Sequence, residues 1–277
     1  MSPSPSPSAV DKRALITGAG SGFGLALAKR YARAGYAIGV ADIDVVRAQA
    51  AVVELQAISA GHFSVGVDVA DAESVEAMRI GVNTFWPEGF EVLINNAGVA
   101  TAGGVAEAAL ADWHWVIGIN LMGVVHGMKA FAPMFKRRGR GHILSTASFA
   151  ALAGAPGLAS YTATKAAVVA LSESVRAEMH PYGVKVSVIC PSFFRTNLLD
   201  NSRGPDPRFR DLVGRLMDRA GVSADDIAAY TFDAASRGQF LIIPTAKERQ
   251  RWWLKRFLPE VYFRKLLQML APRPAQP

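Results

Sequence analysis

Tyr161 and Lys165 stand four residues apart in YTATK, inside a run whose apolar spacing predicts a helix over 159–179, so the two side chains share a face about one turn apart. A phenol ordinarily titrates near ~10 and is a poor base at neutral pH. An ammonium about 4 Å away, at an effective dielectric of ~20, attracts a phenolate by on the order of 4 kcal/mol. Such a pair is suited to moving a proton to and from an alcohol or ketone oxygen. Ser148, thirteen residues before Tyr161 at the end of an apolar run, adds a hydroxyl that can bond the same substrate oxygen.

Side chains so far apart in sequence need a scaffold to bring them together. Apolar runs recur along the chain: RALIT from Arg13, YAIGVAD from Tyr36, FSVGVDV from Phe63, FEVLINNAG from Phe90, GHILSTAS from Gly141, VKVSVICPS from Val184 and QFLIIP from Gln239. Runs of this kind read as strands buried on both faces. Segments with helical spacing lie between them, at 24–33, 45–58, 72–85, 109–138 and 159–179; Ser223 with Asp226 signs the start of a further helix and Gly238 its end. The alternation predicts an α/β fold of Rossmann type: a doubly wound, parallel, seven-stranded sheet with helices on both faces, in one domain over 11–244. A disordered Ser/Pro tail is expected over 1–10 and a basic C-terminal helical extension over 245–277.

In such a sheet the first strand-to-helix turn is where backbone amides and a helix N-terminus meet a pyrophosphate. The stretch TGAGSGFG at 17–24 occupies that slot, although the third glycine of the G-x-G-x-x-G pattern would fall on Phe23. Asp42, about twenty residues on at the end of the second apolar run, can accept hydrogen bonds from the adenosine ribose. Its carboxylate repels a 2′-phosphate, and neither Ser21 nor Ile43 adds a compensating cation, so NAD is expected over NADP.

Taken in order, these motifs resemble the short-chain dehydrogenase/reductase family, from about Asp11 to Pro244. Thr17, Gly18, Ser21, Gly22, Phe23 and Gly24 fit its T-G-x-x-x-G-x-G turn, Asp68 and Val69 its adenine-contacting position, and Asn95, Ala97 and Gly98 its NNAG motif. Asn120, Ser148, Tyr161 and Lys165 match its catalytic tetrad, and Pro191 with Thr196 its nicotinamide-side loop, where Ser192 replaces the usual glycine. The resemblance implies that Tyr161 is the general acid/base and that Ser148 polarises the substrate oxygen. It implies further that Lys165 holds the nicotinamide ribose and depresses the tyrosine pKa, that Asn120 anchors a relay water, and that Thr196 contacts the carboxamide or pyrophosphate. It also implies a homodimer or homotetramer, paired through helices such as 109–138 and 159–179.

Specificity is expected in a lid over about 193–222. There Phe193, Phe194, Leu198, Leu199 and Met217, with Phe149 beside Ser148, suggest an apolar pocket for a lipophilic or aromatic secondary alcohol or ketone. The net charge of +7 is concentrated beyond Thr245, where eight basic residues face two acidic ones, which argues against a nucleic-acid-binding body. On a helical wheel, Tyr262, Phe263, Leu266, Leu267, Met269 and Leu270 fall on one side, with Arg264, Lys265 and Gln268 opposite. The extension therefore packs on its own domain or a sister subunit, or lies on an anionic membrane surface. No run has the ~18 or more uninterrupted apolar residues of a spanning helix, and a single cysteine, Cys190, fits a reducing, cytoplasmic setting. Five histidines show no metal-ligand spacing, so no metal is expected. The alternative to an enzyme is a protein that binds NAD(H) as a sensor or scaffold without turnover.

Overall fold

The computed structural model describes residues 12–194, 202–204, 214, 217 and 221–270. Its strands are β1 (Arg13–Thr17), β2 (Ala37–Asp42), β3 (Phe63–Gly66), β4 (Val92–Asn95), β5 (Gly141–Thr146), β6 (Val184–Ile189) and β7 (Leu241–Ile242). They form one parallel sheet in the order β3-β2-β1-β4-β5-β6-β7, the expected α/β architecture. The chain winds outward from β1 to β3, then crosses back to place β4 on the other side of β1. The crevice at the strand ends between β1 and β4 is where such sheets hold ligands.

Ala14, Leu15 and Ile16 in β1 are each fully buried. Leu15 packs into one core, while Ala14 and Ile16 pack into the other, because successive strand side chains point to opposite faces. The Ala14/Ile16 side is covered by α1 (Gly22–Arg33), α2 (Val45–Gln56) and α8 (Ala224–Ser236). The expected cap on α8 is present as a reciprocal pair: Ser223 Oγ accepts from the Asp226 amide at 3.1 Å, and the Asp226 carboxylate accepts from the Ser223 amide at 3.0 Å.

The Leu15 side is covered by α3 (Ala72–Phe85), α5 (Gly123–Arg138) and α7 (Ala159–Met179). Helix α4 (Leu110–Ile117) runs into α5 through a π-helical turn, Gly118–Met122. Leu110–Arg138 is long and apolar enough to cross a membrane by length and composition, and here it is built into the domain, packed on α3 and α7. Beyond β7 the extension forms α9 (Ala246–Phe257) and α10 (Pro259–Leu270), divided at Pro259.

His142 in β5 carries a pH signature. Its Nε2 lies 2.8 Å from Ser187 Oγ, whose own proton goes to the Gln239 carbonyl at 2.6 Å, so Nε2 is the ring nitrogen that donates. Burial, with the charge of Lys185 adding to it, pushes the His142 pKa down to about 3. The folded protein keeps this ring neutral, whereas the unfolded chain protonates it near ~6.5. Stability present above that pH is therefore lost as pH falls toward 3, at up to about 1.4 kcal/mol per pH unit. His142→Gln is expected to flatten the decline of Tm below pH ~6.5 in thermal melts; an unchanged slope would assign the acid sensitivity elsewhere.

Candidate active site

The glycine turn follows β1. Gly18 adopts a left-handed φ of 62°, and a Cβ there would come within 2.8 Å of Ala97 Cα; at Gly24 a Cβ would overlap the Gly18 carbonyl oxygen. The turn can thus press against the β4 exit while leaving its outer side open for a phosphate. Thr17 stays outside the cavity and ties the turn down, since its Oγ1 accepts from the amides of Asn96 and Ala97 at 3.0 and 3.1 Å. Gly20, the extra glycine, has a specific partner: its amide donates to Asp42 Oδ2 at 2.8 Å, an approach that a side chain would crowd.

One cavity of about 1450 Å³ runs along the strand ends. At one end it is lined by Gly18, Ser21, Gly22, Phe23, Gly24, Asp42, Asp68 and Val69; it continues past Ala97 and Gly98 to Ser148, Phe149, Tyr161, Lys165 and Pro191. Two expectations are corrected here. Asn95 ends β4 buried and outside the cavity, and the neighbouring Asn96 lines it instead, its Nδ2 donating to the Thr17 and Gly18 carbonyls at 3.0 and 3.2 Å. Sequence missed Asn96 because β4 ends at Asn95 and the chain turns there, so that the residues from Asn96 onward line the cavity. A cation does stand near Asp42: Arg47, in the first turn of α2, lines the cavity and pairs with Asp44 at 3.0 Å. Helical winding returns it to a site that Ser21 and Ile43 alone do not describe.

At the reacting end, β5 stops at Thr146, so Ser148 belongs to the next element rather than to the strand. It caps α6 (Phe149–Ala153), its Oγ accepting from the Ala150 amide at 3.1 Å. Tyr161 and Lys165 share a buried face of α7, as their spacing predicts. Lys165 Nζ donates to the Thr146 carbonyl at 2.8 Å and lies 6.0 Å from the Tyr161 ring centroid.

The electrostatics depart from expectation. Burial raises the Tyr161 pKa, and the hydrogen bond with Ser148 opposes that rise; burial also pushes Lys165 down to about 8. In the protein alone burial is the larger cause, and it favours the protonated phenol.

Asn120, in the π-helical turn, is fully buried and outside the cavity lining. Its Oδ1 accepts from the Val99 amide at 2.9 Å and its Nδ2 donates to the Val99 carbonyl at 3.0 Å, so the side chain acts by holding the β4 exit loop. Gly98 leaves open the space between Asn120 Oδ1 and Lys165 Nζ, which lie 3.1 and 3.2 Å from where its Cβ would be.

Of the lid residues, Phe193, Phe194 and Met217 line the cavity, while Thr196, Leu198 and Leu199 lie outside the described residues. Phe194 also packs edge-on to Phe23, with ring centroids 5.3 Å apart. Arg203 crosses the site: its amide donates to the Ala100 carbonyl at 3.1 Å, and its guanidinium lies 4.1 Å from the Trp115 ring centroid.

The extension docks on its own domain. Lys255 Nζ donates to the Leu152 carbonyl at 2.7 Å and Tyr262 Oη to the Ala153 carbonyl at 3.0 Å. Lys247, Gln250, Arg251, Leu254, Tyr262, Lys265 and Leu266 then form a cavity wall that expectation had confined to the lid. The single apolar side drawn by the helical wheel is split. Tyr262 is buried, whereas Phe263 and Leu267 are exposed, and the side chains of Met269 and Leu270 lie outside what is described.

A dinucleotide fits these residues: a glycine cradle that a Cβ would fill, a carboxylate at the adenosine end, and room for a substrate beside it. The chain matches the family described as short chain dehydrogenase over residues 12–206. It is 34% identical over 194 residues to the C alpha-dehydrogenase of Sphingobium sp. (strain NBRC 103272 / SYK-6), covering 70% of this chain and 64% of that protein, less than two thirds of its length. It is 34% identical over 244 residues to the 1-deoxy-11-beta-hydroxypentalenate dehydrogenase of Streptomyces exfoliatus, covering 87% and 85%. Among solved structures, a short chain dehydrogenase/reductase from Burkholderia phymatum in complex with NAD is similar at a TM-score of 0.84 and 31% identity, over 96% of this chain and 97% of that one.

Proposed function

The chain belongs to the short-chain dehydrogenase/reductase family of NAD(P)-dependent oxidoreductases acting on alcohols and ketones, and on that premise we propose that it interconverts a lipophilic secondary alcohol and its ketone using NAD. The observation that carries this reading is the meeting of Ser148, Tyr161 and Lys165 in the cavity that also contains the glycine turn and Asp42. Gly18, Gly22, Gly24, Asp42 and Lys165 would hold the cofactor, which when bound supplies the hydride acceptor or donor.

The remaining work falls to the protein. Tyr161, protonated in its buried setting, gives its proton to the ketone oxygen in reduction and becomes phenolate; in oxidation that phenolate form takes the proton of the alcohol. Ser148 donates a hydrogen bond to the same oxygen and stabilises the charge that develops there. Lys165, fixed to the Thr146 carbonyl, sets the position of a positive charge beneath the reacting end. Phe149, Phe193 and Leu158 give the pocket an apolar wall suited to a lipophilic substrate body and to excluding water. Turnover across a panel of lipophilic secondary alcohols and ketones, with each cofactor, tests this reading; no turnover of any member would overturn it.

Cofactor choice rests on Asp42. Its two carboxylate oxygens already accept from the amides of Gly20 and Asp44, leaving lone pairs free for ribose hydroxyls, and Arg47 is paired with Asp44. NADH is therefore expected to bind about tenfold tighter than NADPH in a fluorescence titration, through repulsion between Asp42 and the 2′-phosphate. A preference for NADPH would mean that Arg47 leaves Asp44 to meet that phosphate.

A further inference from the structure

A surface helix ordinarily turns its apolar stripe inward. Helices α9 and α10 do so only in part. The face of α9 toward the cavity is Lys247, Gln250, Arg251 and Leu254, spaced i, i+3, i+4, i+7, and α10 adds Lys265 beside Leu266. On the outside, Trp253 and Phe257 stack at 5.2 Å and are 51% and 64% exposed. Aromatic surface is thus given to solvent, while three cations, of which Lys247 and Lys265 are exposed, stand along the rim of a cavity.

Only one of these cations, Arg251, has a carboxylate beside it. The acids that line the cavity, Asp42, Asp44 and Asp68, sit at or just beyond the ends of β2 and β3, on the far side of the sheet. The cationic wall lies over α6, beyond Ser148, where Lys255 and Tyr262 fasten it. Arg251 stands 3.5 Å from Glu248, a buried carboxylate that Thr245 also bonds. Lys247 and Lys265 have no carboxylate partner among the described residues. Phe149, Leu158, Leu254 and Leu266 give the same cavity apolar lining.

We propose that Lys247, Arg251 and Lys265 form a subsite for an anionic group, so that the substrate is amphipathic: a ketone or alcohol held at Tyr161, an apolar body, and a carboxylate or equivalent anion at the cavity mouth. This rests on the alcohol/ketone reading above and adds the substrate class to it. Seating an anion there brings it within a few ångströms of ammonium groups whose attraction is only partly screened by water and salt.

The test uses the full chain with a medium-chain keto acid and its methyl ester, which share the ketone and differ in charge. The acid is expected to have a kcat/KM about tenfold above the ester at low ionic strength, mainly through KM, with the ratio shrinking as salt rises. Lys247→Gln/Lys265→Gln should bring the ratio close to one, and Lys247→Arg/Lys265→Arg should keep it. Equal kcat/KM for acid and ester in the unaltered protein, or an unchanged ratio in the Gln variant, would overturn the proposal. If neither compound is turned over, the alcohol/ketone reading is judged on the wider panel of alcohols and ketones, and calorimetry with octanoate and octanol decides the subsite. Octanoate binding that the Gln variant loses supports it; indifference to charge overturns it.

Discussion

Tyr161→Phe is expected to lower kcat by about a thousandfold in both directions, with KM and the NADH dissociation constant within about twofold of the unaltered protein. The substitution removes one oxygen from a buried ring and leaves its packing in place, so the loss reports proton transfer rather than folding. Ser148 stays on its α6 cap and Lys165 stays on the Thr146 carbonyl, since neither contact uses the phenol. The direction of the Tyr161 shift adds a second expectation. Because burial raises its pKa, the proton-donating form prevails at neutral pH; ketone reduction should run well there, and alcohol oxidation should speed up as pH rises. Steady-state kinetics on a substrate drawn from the alcohol and ketone panel measure both. A Phe variant with undiminished turnover would remove Tyr161 from the chemistry.

Gly24→Ala is the second large effect. The added methyl would overlap the Gly18 carbonyl oxygen and stand 2.6 Å from Asn96 Nδ2, and neither can yield cheaply. Gly18 is backbone in the turn, and Asn96 Nδ2 is what fastens that turn to the β4 exit through the Thr17 and Gly18 carbonyls. Relief requires the turn to move outward, into the space where a pyrophosphate would lie. The expected result is a loss of about 3 kcal/mol of stability and a weakening of NADH binding by at least about tenfold. Gly81→Ala provides the contrast. Its Cβ would meet only Val65 Cγ2, at an ordinary 3.9 Å, and it lies inside α3, so the same exchange should stabilise by about 0.5–1 kcal/mol. Thermal melts and NADH titration separate the two; a Gly24→Ala protein with unchanged Tm and NADH affinity would refute the close-approach role.

Much of this site was legible because its determinants are local in the chain. Ser148, Tyr161 and Lys165 announce themselves by residue type and spacing, and the glycine turn by its place between an apolar run and a helix. The parallel sheet follows from apolar runs long enough to be buried on both faces, alternating with helical periodicity. The Ser223 and Asp226 cap and the break at Pro259 are equally local, and both appear in the structure.

Other features depend on what surrounds a residue in space. Asn96, and not Asn95, faces the cavity because the chain turns as it leaves β4. Arg47 stands near Asp42 because α2 winds back over the end of β2. The pKa of Tyr161 rises because desolvation sums over every neighbour, while the four-residue spacing to Lys165 gives only one pairwise attraction. The extension shows the division most plainly. Its sequence by itself determined two short helices with basic and apolar residues on both, since periodicity and a proline suffice for that. Only the tertiary structure decided that Lys247, Arg251 and Lys265 would line the cavity, that Tyr262 would be buried and that Trp253 and Phe257 would be exposed, because which side of an amphipathic helix turns inward is set by the surface it packs against.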